Sequence, residues 1–136
     1  MDIAPAFIGN IELLKKRKYG FLASRKISSL TVLPTLDWAI EIGKHKDIAV
    51  ISGFHSKMER EVLKILLQGQ CGIIIVLARG MYRKLPKQYE EAMTQNRLLI
   101  ISNEKESVTR VSELSAHKRN DYVREIADEM KQLKNE

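Results

Sequence analysis

At 136 residues the chain has the length of one domain, and a domain of this size buries roughly two-thirds of the surface that its unfolded chain exposes, so one core without staples is expected over residues 1–136. The single cysteine, Cys71, excludes an intrachain disulfide; no signal-peptide pattern opens the chain, and the longest uncharged apolar run, residues 71–78, is far below the roughly 18–20 residues that span a bilayer, so a cytoplasmic protein without membrane association is expected. The formal net charge is +6 and is unevenly spread, which favours a polyanionic partner, although a basic surface also serves solubility.

Taken in chain order, residues 6–18 suggest a short helix, with Ile11, Leu13 and Leu14 packing it down and Lys15, Lys16, Arg17 and Lys18 left exposed. Residues 20–24 then read as a first strand. Leu33, Leu36, Ile40 and Gly43 recur at helical spacing, with Pro34 tolerable in a first turn. A second strand follows at 48–52, and a helix marked by Met58, Val62, Ile65 and Leu66 stops at Gly69. A third strand covers 72–78, a weaker helix 86–95, and a fourth strand 97–102. Val123, Ile126, Ala127, Met130 and Leu133 then trace a C-terminal amphipathic helix. The four strand segments lack in/out alternation, as strands covered on both faces do. Alternation of strands with helices implies βαβ units and a Rossmann-like three-layer α/β/α fold, with a mostly parallel sheet of four or five strands.

In such a sheet, ligands gather beyond the carboxyl ends of the strands. The loops expected there carry Ser24, Arg25 and Lys26; Ser52, Gly53, Phe54, His55 and Ser56; Arg79 and Gly80; and Ser102 with Asn103. Ser56 and Glu59 have capping-box spacing, so a helix N-terminus able to attract anions is expected at this rim. The cap alone accounts for Gly53, Ser56 and Glu59; His55 is either incidental or a phosphate or base contact. Arg25 can clamp a phosphate bidentately or pair with Glu59 or Glu61. Arg79, Arg83, Lys84 and Lys87 form an acid-free cluster beside it, as do residues 15–26, whereas the six bases and six acids from Arg110 onward resemble an ordinary solvated helix. Phe54 and Tyr82 either stack bases or pack the core.

Other chemistries leave no mark. The chain has neither GxGxxG nor GxxxxGK[ST]; His45, His55, His117 and Cys71 lack metal-ligand spacing; and Ser56 lacks a nucleophile elbow. No catalytic residue, metal or cofactor is expected.

Several of these segments, in order, resemble the Rossmann-like core of the DNA-processing protein A family, bacterial recombination mediators that bind single-stranded DNA. Phe-Leu-Ala-Ser-Arg-Lys-Ile-Ser (21–28) is similar to the family's first-strand motif ending in Gly-Ser-Arg, with Ala23 where glycine is usual. Val-Ile-Ser-Gly-Phe-His-Ser (50–56) resembles its second-strand Ser-Gly motif, although Phe54 to Met58 replace the usual Ala-Arg-Gly-Ile-Asp continuation. Residues 74–81 and 98–102 resemble its third and fourth strands, and Arg119-Asn120, placed at the opening of the last helix, its Arg-Asn motif. The resemblance implies that Arg25, Lys26, Gly53, Arg79 and Arg119 form a basic pocket for the DNA backbone, with Asn120 capping the last helix and bracing the loops. It also implies a homodimer, and a recombinase partner for the longer members.

Ser24, Arg25, Lys26, Ser52, Gly53, His55, Ser56, Arg79, Gly80, Lys84, Arg119 and Asn120 are therefore the candidate contacts for single-stranded nucleic acid or another phosphate-bearing ligand. The competing readings are an enzyme resembling the lysine-decarboxylase-like nucleoside-monophosphate phosphoribohydrolases and a small sensor that binds a nucleotide. The former carry a Pro-Gly-Gly-x-Gly-Thr loop where this chain has Leu77-Ala78-Arg79-Gly80-Met81.

Overall fold

The uninterrupted apolar runs become strands because the sheet is covered on both sides. In the computed structural model, which describes residues 4–134, β2 (Arg17–Ala23), β3 (Ile48–Ser52), β4 (Gly72–Leu77) and β5 (Leu98–Ser102) pair in parallel in that spatial order. Successive residues of one strand serve different layers. Ile73 and Ile75 join Phe21, Val50, Val62 and Leu66 on one face, while Ile74 and Val76 join Leu22, Ile51, Leu13 and Val123 on the other. The first face is covered by α1 (Val32–Ile42), α2 (Lys57–Leu67) and α3 (Glu90–Thr94), the second by α4 (Glu113–Ile126) and a 3-10 turn at Ile11–Lys15. The fold is Rossmann-like α/β/α. No helix among the described residues is long and apolar enough to cross a membrane.

The sheet has six strands, more than the four or five expected. β1 (Ala6–Gly9) runs antiparallel along β5, and β6 (Glu129–Leu133) runs parallel along β2, giving the order β1-β5-β4-β3-β2-β6. Residues 6–18 are thus a strand, a 3-10 turn and the start of β2, not a helix. The C-terminal helix ends at Ile126, because Ala127 turns extended (φ −68°, ψ 143°) and feeds β6. Spacings of three and four residues among Ile126, Met130 and Leu133 suit a helix, but the open edge of β2 offers backbone partners that a helix leaves unused. Of the residues whose spacing predicts α1, Leu36 packs on the core and Gly43 is buried, but Leu33 and Ile40 are 72% and 50% exposed, and Thr35, Ala39 and Ile42 supply the buried face. Arg97, expected to open β5, instead caps the end of α2, its guanidinium donating to the carbonyls of Leu66, Leu67 and Cys71.

The basic run at 15–18 lies at the amino end of β2, away from the strand ends where ligands gather, and its charges are engaged locally. Lys15 pairs with Glu12, Arg17 with Glu129 at 2.8 Å and Lys18 with Asp128 at 3.4 Å. Asp128 also accepts the Lys18 backbone N–H at 2.7 Å, which chiefly holds its carboxyl below the ordinary 3.8; the Arg17 hydrogen bond does the same for Glu129, ordinarily 4.5. Since both folded values are depressed, their stabilisation is complete above the unfolded values and is lost as pH falls through the folded ones. The stability gap between wild type and Asp128→Asn, followed by urea denaturation, should therefore be constant near neutrality and shrink below about pH 4. A gap that persists undiminished in stronger acid would refute this account of how β6 is fastened.

Candidate functional site

The loops leaving β2 and β3 and the first half of α4 enclose a cavity of about 500 Å³. Ser24, Arg25, His55, Ser56, Arg119 and Asn120, all candidates from the sequence, line it. A smaller cavity of about 120 Å³ adjoins it, lined by Gly53, His55, Arg79 and Tyr82. Arg119 contributes to both.

Two helix N-termini open onto the larger cavity. α2 begins with the capping box anticipated from spacing, Ser56 accepting the Glu59 N–H while Glu59 accepts the Ser56 N–H. α4 begins with a second box, in which Ser112 accepts the Ser115 N–H and the Ser115 hydroxyl accepts the Ser112 N–H. Both dipoles add positive potential there.

Arg119 is 7% exposed. Its Nε donates to Asn120 Oδ1 at 2.7 Å, and its guanidinium lies against Gly53, in the space where a Cβ would stand. Burial lowers its pKa below the ordinary value, and the nearby Glu59 charge acts in the opposite direction. It forms no ion pair among the described residues. Arg25 is exposed and likewise unpaired among them, and both proposed partners are engaged elsewhere. Glu59 accepts the backbone N–H groups of Ala23, His55 and Ser56, and Glu61 faces Lys64. Arg79 is half-buried; its Nε donates to the Gly80 carbonyl, and its guanidinium lies 5.2 Å from the Tyr82 ring centre.

Other candidates are placed differently. Ser52 is buried, and its hydroxyl accepts the Phe54 N–H at 3.0 Å, so it holds the turn. Gly80 is buried against the backbone of Lys105 and Glu106, and its N–H donates to the Val108 carbonyl. Lys26 and Lys84 are exposed and line neither cavity. Phe54 is 6% exposed and belongs to the core, which removes it as a stacking ring. Arg119 and Asn120 lie in the middle of α4, whose cap is Ser112, so Asn120 braces the arginine and does not cap the helix. Sequence reasoning missed one wall of the cavity, which Val111, Glu113, Ala116 and His117 line. Placing the helix start at 119 left those residues unassigned, although Ser112 with Glu113 is a recognisable start signal.

The family model for DNA recombination-mediator protein A matches residues 5–130. Among solved structures, DNA processing protein A from Streptococcus pneumoniae is similar over 97% of this chain and 46% of its own, with 16% identity and a TM-score of 0.75. DNA processing protein A from Helicobacter pylori, described for its single-stranded DNA binding mode, is similar over 94% of this chain and 59% of its own, with 18% identity and a TM-score of 0.73. The chain thus spans about half the length of these two proteins. No curated protein sequence matches it. With nearly its whole length matched by the family model and its Rossmann-like sheet shared with both structures, this chain belongs to the DNA recombination-mediator protein A family.

Proposed function

We propose that this chain is a binding protein for single-stranded DNA, holding the phosphate backbone across the rim formed by Arg25, Arg119 and the N-termini of α2 and α4. The observation that carries this reading is the buried Arg119, fixed by Asn120 and Gly53 and left without a carboxylate partner among the described residues. A desolvated guanidinium is costly unless it meets a negative charge, and a phosphate at the cavity supplies one. The single-stranded DNA binding of the Helicobacter pylori relative supports the choice of ligand. The smaller cavity, with Arg79 over Tyr82, extends the same path and offers a ring against which a base can stack.

Four to six neutralised phosphates give a slope of log affinity against log salt of about −3 to −4. Arg25→Ala should weaken binding roughly tenfold or more, as loss of a charge-assisted bond does, and flatten that slope by about 0.7. Fluorescence anisotropy with labelled oligo-dT across a salt series measures both. Equal affinity and slope for the two proteins would remove Arg25 from the interface.

A further inference from the structure

We propose that Glu59 is the positioning residue of this surface, one carboxylate that sets Arg25 against Arg119 by tying two strand-end loops together. The inference rests on the proposed single-stranded DNA site and deepens it. Glu59 is 4% exposed in the first turn of α2. Its Oε1 accepts the N–H groups of His55 at 2.8 Å and Ser56 at 3.2 Å, which completes the helix cap. Oε2 is not needed for that cap. It accepts the Ala23 N–H at 2.9 Å, across 36 residues of chain, at the last residue of β2. Ala23 precedes Arg25 by two residues, and the intervening Ser24 N–H is taken by the Leu133 carbonyl at 3.0 Å. The backbone that carries Arg25 is therefore held from both sides, by α2 and by β6.

The same carboxylate lies near Arg119 without capturing it. Three backbone amides occupy its oxygens, and no Glu59–Arg119 ion pair forms, yet its charge opposes the effect of burial on the guanidinium. Among the described residues only Nε of Arg119 is engaged, by Asn120, which leaves its terminal nitrogens available to a ligand.

Glu59→Gln separates these roles. Its carbonyl oxygen still serves the cap, while its amide nitrogen, a donor, faces the Ala23 N–H and breaks the tether. With oligo-dT, E59Q should lose affinity and show a salt slope flatter by about 0.7, the loss of one phosphate contact. Hydrogen exchange at the Ala23 amide should accelerate in the free protein. A merely structural glutamate would lower the melting temperature and leave the slope alone. If E59Q does not fold, E59D keeps the charge and shortens the reach, and the same slope and exchange are read. A wild type without oligo-dT affinity overturns the reading of the surface, and the positioning role with it. A binding wild type beside a Glu59 variant of unchanged slope overturns the positioning role alone.

Discussion

Alanine at Gly53 should cut oligo-dT affinity by about tenfold or more, yet cost the fold nothing once Arg119 is also removed. The reasoning is steric. Gly53 has no positive φ, so alanine meets no backbone strain there. What it meets is the Arg119 guanidinium, which occupies the place of the missing methyl. The arginine must then leave Asn120 or be driven toward solvent, and overpacking of this kind costs about 1–3 kcal/mol. In an Arg119→Ala background the obstacle is gone, and replacing glycine restricts the unfolded chain, which stabilises by about 0.4–1 kcal/mol. Glycine to alanine should therefore change sign between the two backgrounds. Urea denaturation of the four proteins in a double-mutant cycle measures it, with anisotropy reporting binding in parallel. Additive effects would show that Gly53 is not there to seat Arg119.

Phe54→Gly should be at least as stable as Phe54→Ala, against the usual order. Phe54 is buried at 6% exposure, and deleting such a ring costs about 3–5 kcal/mol with either replacement. Its φ of 48° lies in the left-handed region, where a Cβ is penalised by roughly 1–2 kcal/mol. Glycine relieves that penalty and alanine keeps it, so F54G should exceed F54A by about 1 kcal/mol in urea. The turn is worth its strain because it directs the ring into the core while the next amide, His55 N–H, reaches Glu59. If F54G proves the weaker variant by the ordinary glycine penalty, the left-handed turn is not under the constraint described.

The interior of the sheet was legible because burial on both faces leaves a mark in composition. Residues 48–52 coincide with β3, and the expected 72–78 and 97–102 overrun β4 and β5 by one residue each. The two border strands left no such mark. β1 and β6 keep one edge open, most of their side chains are exposed, and what fixes them is a backbone ladder to β5 and β2 that composition does not record. In the candidate site, residues on the β2 and β3 loops were found from topology alone, since parallel strands bring their ends to one rim. Arg119 and Asn120 were reached only through family resemblance, as the α4 boundary was misplaced. The tether from Glu59 to Ala23 could not be read, because it joins distant residues through a single oxygen.

The Leu133 carbonyl that receives the Ser24 amide gives the two border strands unequal value as points of attachment. A tag or surface linkage attached beyond β6 hangs from the strand that steadies the Arg25 loop, so tension or crowding there should be transmitted to the proposed ligand surface. An attachment before β1 is separated from β2 by three intervening strands. Immobilised or fused forms are best held from the amino end, and affinities measured with the opposite orientation will partly report the anchorage.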